Sequence, residues 1–161
     1  MTNSIYLHGT INSIEFSHES NGKRYLKAII VATNNLGEHR IPIKFREDKL
    51  TVKDGDYISV IGNLRTYNKK IYIYTNLENV DFEDAVPDNC DTTFCGQCVK
   101  KEEKFKSYIF KVGDNTFVPV KSDKDYEIGS EYTINGFLTQ RFYRRKINPS
   151  EELSTLEVIE R

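Results

Sequence analysis

The most concentrated chemistry in this 161-residue chain is the run Arg141-Phe142-Tyr143-Arg144-Arg145-Lys146, two aromatic rings set among four cations. A looser mixture of the same kind occupies the first half: Tyr25, Lys27, Arg40, Lys44, Arg65 and Tyr67, with Lys69 and Lys70 close behind. Flat rings stack on nucleobases at ~1–3 kcal/mol each without demanding a sequence. Lys and Arg meet phosphates and release counterions, so affinity falls with salt. Interleaved, they have the chemistry that a flexible single strand needs. Tyrosine is also an ordinary sheet residue and lysine ordinary solvated charge. Only the cluster, and no single residue, therefore points to a binding face.

Catalytic and metal chemistry find less support. Cys95-Gly96-Gln97-Cys98 has the spacing of a redox or zinc pair, and Cys90 is the third cysteine. Three thiols in one segment make no disulfide framework. Zinc takes about four ligands, and His8, His18 and His39 lie far away without a paired spacing. A thioredoxin-like pair belongs at a helix start, whereas Thr93–Val99 reads as a strand. The cysteines are read as buried or half-buried strand residues without chemistry. The sequence contains no Gly-rich phosphate loop, Gly-x-Ser-x-Gly elbow or metal-spaced His/carboxylate motif. No catalytic residue, metal or cofactor is assigned, and the chain is expected to bind rather than catalyse.

The elements that must position these residues are strands. Tyr25–Ala32, Tyr57–Ile61, Ile71–Tyr74 and Lys106–Val112 carry β-rich, two-residue rhythms. Turn signals separate them at Asn21-Gly22, Leu36-Gly37, Asp54-Gly55, Asn68-Lys69 and Gly113-Asp114-Asn115. Helix is expected only within Arg46–Lys53 and as a turn near Ser150–Leu153. Alternation assigns faces. Leu26, Ala28, Ile30 and Ala32 point inward, as do Ile41, Ile43, Phe45 and Ile58, Val60, Gly62, Leu64. Tyr25, Lys27, Arg40, Lys44, Arg65 and Tyr67 are left outside, with Lys69 and Lys70 at a hairpin tip.

The two halves repeat each other. Leu7-His8-Gly9-Thr10-Ile11 aligns with Phe94-Cys95-Gly96-Gln97-Cys98, and Arg40-Ile41-Pro42-Ile43-Lys44 with Phe117-Val118-Pro119-Val120-Lys121. The stretch from Gly55 to Leu64 aligns with that from Gly129 to Leu138, and a basic turn follows in each copy. Glycines suit sharply coiled strands of a small barrel, and a strand proline belongs at an edge or bulge. The expected fold is all-β: two tandem five-stranded OB-fold barrels. The first would span 1–82 and the second 92–161, joined by an acidic linker over 83–91.

The first half resembles bacterial and phage single-stranded DNA-binding proteins. The likeness runs through Leu7–Ile11, Tyr25–Thr33, Ile41–Phe45 and Gly55–Thr66, and reaches the second half only by way of the repeat. It implies ligand contact across the second and third strands, flanked by the 1–2 and 4–5 loops. That family usually ends in an acidic tail with an apolar tip, whereas this chain ends in what reads as a closing strand, Leu156–Arg161. Two barrels in one chain could replace a dimer. In the second copy Tyr108 and Lys121, with Phe105, Lys106 and Phe117, offer related chemistry. So do Arg141, Tyr143, Arg144 and Arg145 on the 4–5 hairpin.

Charge qualifies this reading. Residues 1–80 carry 11 Lys/Arg against 8 Asp/Glu, net +3, and residues 81–161 carry 12 against 16, net −4. Neither half is basic enough to coat nucleic acid by charge alone, so binding must come from a local groove. Single-stranded DNA is the expected partner, with RNA possible and replication or recombination proteins as further partners of a phage or mobile-element protein. An adaptor that binds protein through its barrels is the alternative. The N-terminus shows no signal peptide and no apolar run is long enough for a membrane helix, so a cytoplasmic protein without membrane contact is expected.

Overall fold

The computed structural model describes residues 2–77, 88–103 and 106–161. Most of the expected linker, 83–87, and Phe105 lie outside the described residues. Ten strands follow in order: β1 (Asn3–Ser20), β2 (Lys23–Asn34), β3 (Gly37–Arg46), β4 (Tyr57–Tyr67) and β5 (Lys70–Tyr74), then β6 (Asp91–Glu102), β7 (Ser107–Val112), β8 (Thr116–Lys121), β9 (Glu131–Arg145) and β10 (Asn148–Glu160). One 3₁₀ turn, Glu47–Lys49, falls inside the span expected to be helical. The turn expected near Ser150–Leu153 is instead strand, because β9 runs on to Arg145 and pairs Arg144 with Glu152 and Tyr143 with Leu153 across a bulge. Among the described residues no helix is long and apolar enough to cross a membrane.

Each half closes into a ring. β1 pairs with β2 and β4, β2 with β3, and β4 with β5, all antiparallel; a short parallel pairing of β3 with β5 completes the circuit. β6 to β10 repeat that pattern, with β10 parallel to β8. This order, with one parallel closure, is the OB barrel. The β1–β2 and β4–β5 turns explain how chemistry sets the hairpins. Asn21 and Gly22 have φ 51 and 74, and Asn68 and Lys69 have φ 49 and 64. Two left-handed residues in succession match the twist of a tight hairpin, and asparagine tolerates that region.

The repeat extends to the register. Ile5 faces Gly62 and Gly9 faces Ile58 in the first ring; Thr92 faces Gly136 and Gly96 faces Tyr132 in the second. Ile29 faces Pro42 as Ile109 faces Pro119. Both prolines lie in strands with a neighbour on each side, not on edge strands. The parallel ladder begins at the very next residue, Ile43 or Val120, so each proline stands where that ladder ends. A Cβ on Gly62 would stand 2.6 Å from the Tyr74 carbonyl oxygen, and one on Gly136 would lie closer still to that of Ile159. The backbones cross there because no side chain intervenes.

The inward faces are those the alternation assigns. Leu26, Ala28, Ile30, Ala32, Ile41, Ile43, Phe45, Ile58, Val60 and Leu64 are all buried. The rings join through a short antiparallel β1–β6 ladder, Asn3 facing Phe94, so that all ten strands form one continuous sheet. Thr66 Oγ1 donates to the Phe117 carbonyl and accepts from its N–H, both at 3.1 Å. The Gln140 N–H donates to His39 Nδ1 at 3.0 Å, and the Arg40 N–H to Gln140 Oε1 at 3.1 Å. The described end of the linker adds to the first ring, with His8 and Asn89 exchanging backbone bonds of 2.9 and 3.0 Å.

Candidate nucleic-acid interface

On the outer face of the first ring, β2 contributes Tyr25 and Lys27, β3 contributes Arg40 and Lys44, and β4 contributes Arg65 and Tyr67. Pairing sets Lys27 opposite Lys44, Lys44 beside Tyr74, Arg65 opposite Tyr72, and Tyr67 opposite Lys70. Lys44 Nζ lies 4.6 Å from the centre of the Tyr72 ring and 5.4 Å from that of Tyr67. The Arg65 guanidinium lies 4.2 Å over Tyr74. The His18 and Tyr25 rings stack with centres 4.8 Å apart and planes within 7°. Around them is an open cleft of about 230 Å³ lined by His18, Ser20, Tyr25, Lys44, Arg65, Tyr72 and Tyr74. A ring attracts a cation to its face through its quadrupole, so each charge is held beside a stacking surface. A stacked base there would bring its phosphate to a cation.

His18, Tyr72 and Tyr74 complete the cluster and were missed by the sequence reading. The signal for the two tyrosines was present, because Ile71-Tyr72-Ile73-Tyr74 alternates and its isoleucines are buried. The remaining members are looser. Lys27 pairs with Glu15 at 3.3 Å, with both side chains more than half exposed; such pairs contribute little and exchange readily. Lys69 and Lys70 are exposed at and beside the β4–β5 turn, and Arg40 is exposed at the end of the face nearest the second ring. Arg46, opposite Tyr25, is bound by Asp48, which raises the guanidinium and lowers the carboxyl from their usual ranges.

In the second ring the shared register allows position-by-position comparison. Lys44 corresponds to Lys121, which is exposed. Lys27 corresponds to Ser107, Arg65 to Thr139 and Tyr72 to Glu157, and all three replacements are less than 5% exposed. Tyr67 corresponds to Arg141, whose Nη1 lies 3.4 Å from Glu157 Oε2. Tyr108, expected on the outer face, is buried: the register aligns it with the inward Ala28, and only its hydroxyl reaches Asp125, at 3.5 Å. The basic hairpin does not form one surface either. Alternation divides it, with Arg141, Tyr143 and Arg145 on one face and Gln140, Phe142 and Arg144 on the other. Arg144 Nη2 donates to Glu152 at 3.2 Å.

The thiols occupy opposite sides of β6. Cys98 is buried in the second core; Cys95 is half-buried, with Sγ 3.2 Å from Thr133 Oγ1. That bond draws the Cys95 thiol below its ordinary value, whereas burial raises Cys98 and pushes Cys90 up to about 12. Among the described residues no three His, Cys, Asp or Glu side chains gather to hold a metal.

No protein-family model matches the chain, and no curated protein does. Solved structures do. A deletion mutant of the single-stranded DNA-binding protein from Thermus aquaticus superposes with a TM-score of 0.68, covering 98% of this chain and 91% of that one at 12% identity. The wild-type protein gives 0.65, covering 98% and 89% at 13% identity. The fold is a tandem of two OB barrels. At so low an identity the likeness concerns backbone arrangement over nearly the whole chain, and it carries no residue of the cleft with it.

Proposed function

We propose that the first barrel binds single-stranded DNA, largely without regard to sequence, by stacking bases on Tyr25, Tyr67, Tyr72 and Tyr74. Phosphates are met by Lys27, Arg40, Lys44 and Arg65, with Lys69 and Lys70 flanking the cleft. The observation that carries the reading is Lys44 poised between the rings of Tyr67 and Tyr72, with Arg65 over Tyr74 on the same outer face. A duplex offers its phosphates but keeps its bases stacked on one another, so such a face favours single strands. The Thermus aquaticus protein that shares this arrangement is a single-stranded DNA-binding protein, which supports the choice of ligand. The chain acts by holding its ligand and not by chemical change, and a role in DNA replication or recombination follows from that activity.

The test is a titration of labelled oligo-dT and of a duplex of equal length at two salt concentrations. The expected result is preferential binding of oligo-dT, with affinity falling as salt rises. No affinity for oligo-dT at low salt would overturn the reading and leave a barrel pair that binds protein.

A further inference from the structure

β3 carries one more outward cation than the cleft uses. Its outward positions run Arg40, Pro42, Lys44 and Arg46, between the buried Ile41, Ile43 and Phe45. Arg46 stands opposite Tyr25, one of the proposed stacking rings, on the β2–β3 ladder. Tyr25 and Tyr74 both act electrostatically on its guanidinium, so it lies at the edge of the cleft. Its donors, however, are already engaged. β3 stops at Arg46, and the 3₁₀ turn Glu47–Lys49 closes with the Leu50 N–H donating to the Glu47 carbonyl at 3.1 Å. That turn carries Asp48 back alongside the strand end. Arg46 Nε donates to Asp48 Oδ1 at 3.0 Å, and Nη2 donates to Oδ2.

Geometry separates this pair from the other cations of the face. Lys44 and Arg65 are held against rings. Lys27 meets Glu15 at 3.3 Å with both side chains more than half exposed, an arrangement that exchanges readily. The Arg46 side chain is only 29% exposed and directs two donors at one carboxylate. A guanidinium fork fits carboxylate and phosphate in the same bidentate way. Asp48 therefore occupies the place that a backbone phosphate would take. A cation releases counterions from a strand only by neutralising one of its phosphates. Arg46 and Asp48 together are a neutral unit and release none.

We propose that Asp48 is an internal competitor for phosphate, which fills the fork of Arg46 and withholds that cation from the single-stranded ligand. The first barrel is thereby held below the affinity and the salt dependence that its cations would allow. This rests on the binding role proposed above.

The experiment titrates oligo-dT against the full chain over a series of salt concentrations. Asp48→Asn is expected to bind about fivefold more tightly at about 0.1 M salt, with the slope of log affinity against log salt steeper by ~0.7, the value of one added contact. Asp48→Ala is expected to do the same, because the effect follows charge and not shape. Glu47→Gln removes the same charge from the same turn. Its carboxylate holds Arg24 Nε at 2.6 Å, and Arg24 projects to the other side of β2 from Tyr25, 4.4 Å over Phe16. That variant is expected to stay within about twofold at an unchanged slope. In an Arg46→Gln background, Asp48→Asn is expected to give no gain. Unchanged affinity and slope in both Asp48 variants, an equal gain in Glu47→Gln, or the same gain without Arg46 would overturn the proposal. Wild-type protein with no affinity for oligo-dT at low salt would instead remove the first-barrel reading itself.

Discussion

The two barrels share the registers that close them and differ in the side chains turned toward solvent. Glycine faces the same partner positions in both, and proline precedes the parallel ladder in both. Yet Tyr72 of the first is Glu157 in the second, Arg65 is Thr139, and Lys27 is Ser107. The frame depends on backbone crossing and on inward alternation. A ligand surface depends on the outward positions, which the frame leaves free. One copy can therefore differ from the other in its outward residues without losing its barrel, and in this chain the second copy has buried Ser107, Thr139 and Glu157 where the first has Lys27, Arg65 and Tyr72, and a longer hairpin.

The strongest test of the shared frame is Gly62→Ala beside Gly136→Ala. Each puts a Cβ against a backbone oxygen across a closed barrel, so each is expected to cost ~1–3 kcal/mol and to lower the melting temperature by several degrees. Tolerance at Gly136 alone would show that the second ring closes less tightly than the first. The functional difference is sharpened by Tyr72→Ala, expected to weaken oligo-dT binding by ~1–3 kcal/mol. Its counterpart Glu157→Gln, and Lys121→Ala, are expected to change affinity less than about twofold in the same titration. A comparable loss from Lys121→Ala would restore the second face as a site.

Removing charge should read differently from removing rings. Lys27→Ala, Lys44→Ala and Lys69→Ala together take away up to three phosphate contacts, so the slope of log affinity against log salt is expected to shrink by up to about 2, at ~0.7 per contact. Tyr67→Ala is expected to leave that slope unchanged. The smallest effect concerns the joint. His39 is buried; its Nε2–H is 2.8 Å from Asn34 Oδ1 and its Nδ1 accepts from Gln140. Burial lowers its pKa below the usual 6.5. Below about pH 6.5 the unfolded chain takes up a proton that folded His39 resists. The stability His39 contributes is therefore full above that pH and lost as pH falls through the folded value. Melting at pH 7.5 and 5.5 is expected to differ more in the wild type than in His39→Gln.

Much of this was legible from residues alone. Alternation placed β2, β3 and β4 the right way round, and the repeat of Gly-x-apolar and Pro motifs matched the register strand for strand. The outward set on the first barrel followed from the same alternation. What was not legible had particular causes. Tyr108 looks like an outward aromatic until the proline register aligns it with Ala28. The outward turn of Tyr72 and Tyr74 was legible in the alternation of β5; that they stand beside Lys44 was not, because that depends on β5 lying parallel to β3, a pairing between residues far apart in sequence. The split of the basic run into two faces, and the seating of Gln140 on Arg40, likewise depend on how one ring meets the other.

The most direct measurement is ultraviolet cross-linking of oligo-dT to the full chain, with modified residues located by mass spectrometry. Adducts are expected at Tyr25, Tyr67, Tyr72 and Tyr74, and none at Phe117 or Tyr132 on the second barrel. Adducts confined to Phe117 and Tyr132, with the β5 tyrosines unmodified, would contradict binding by the first barrel.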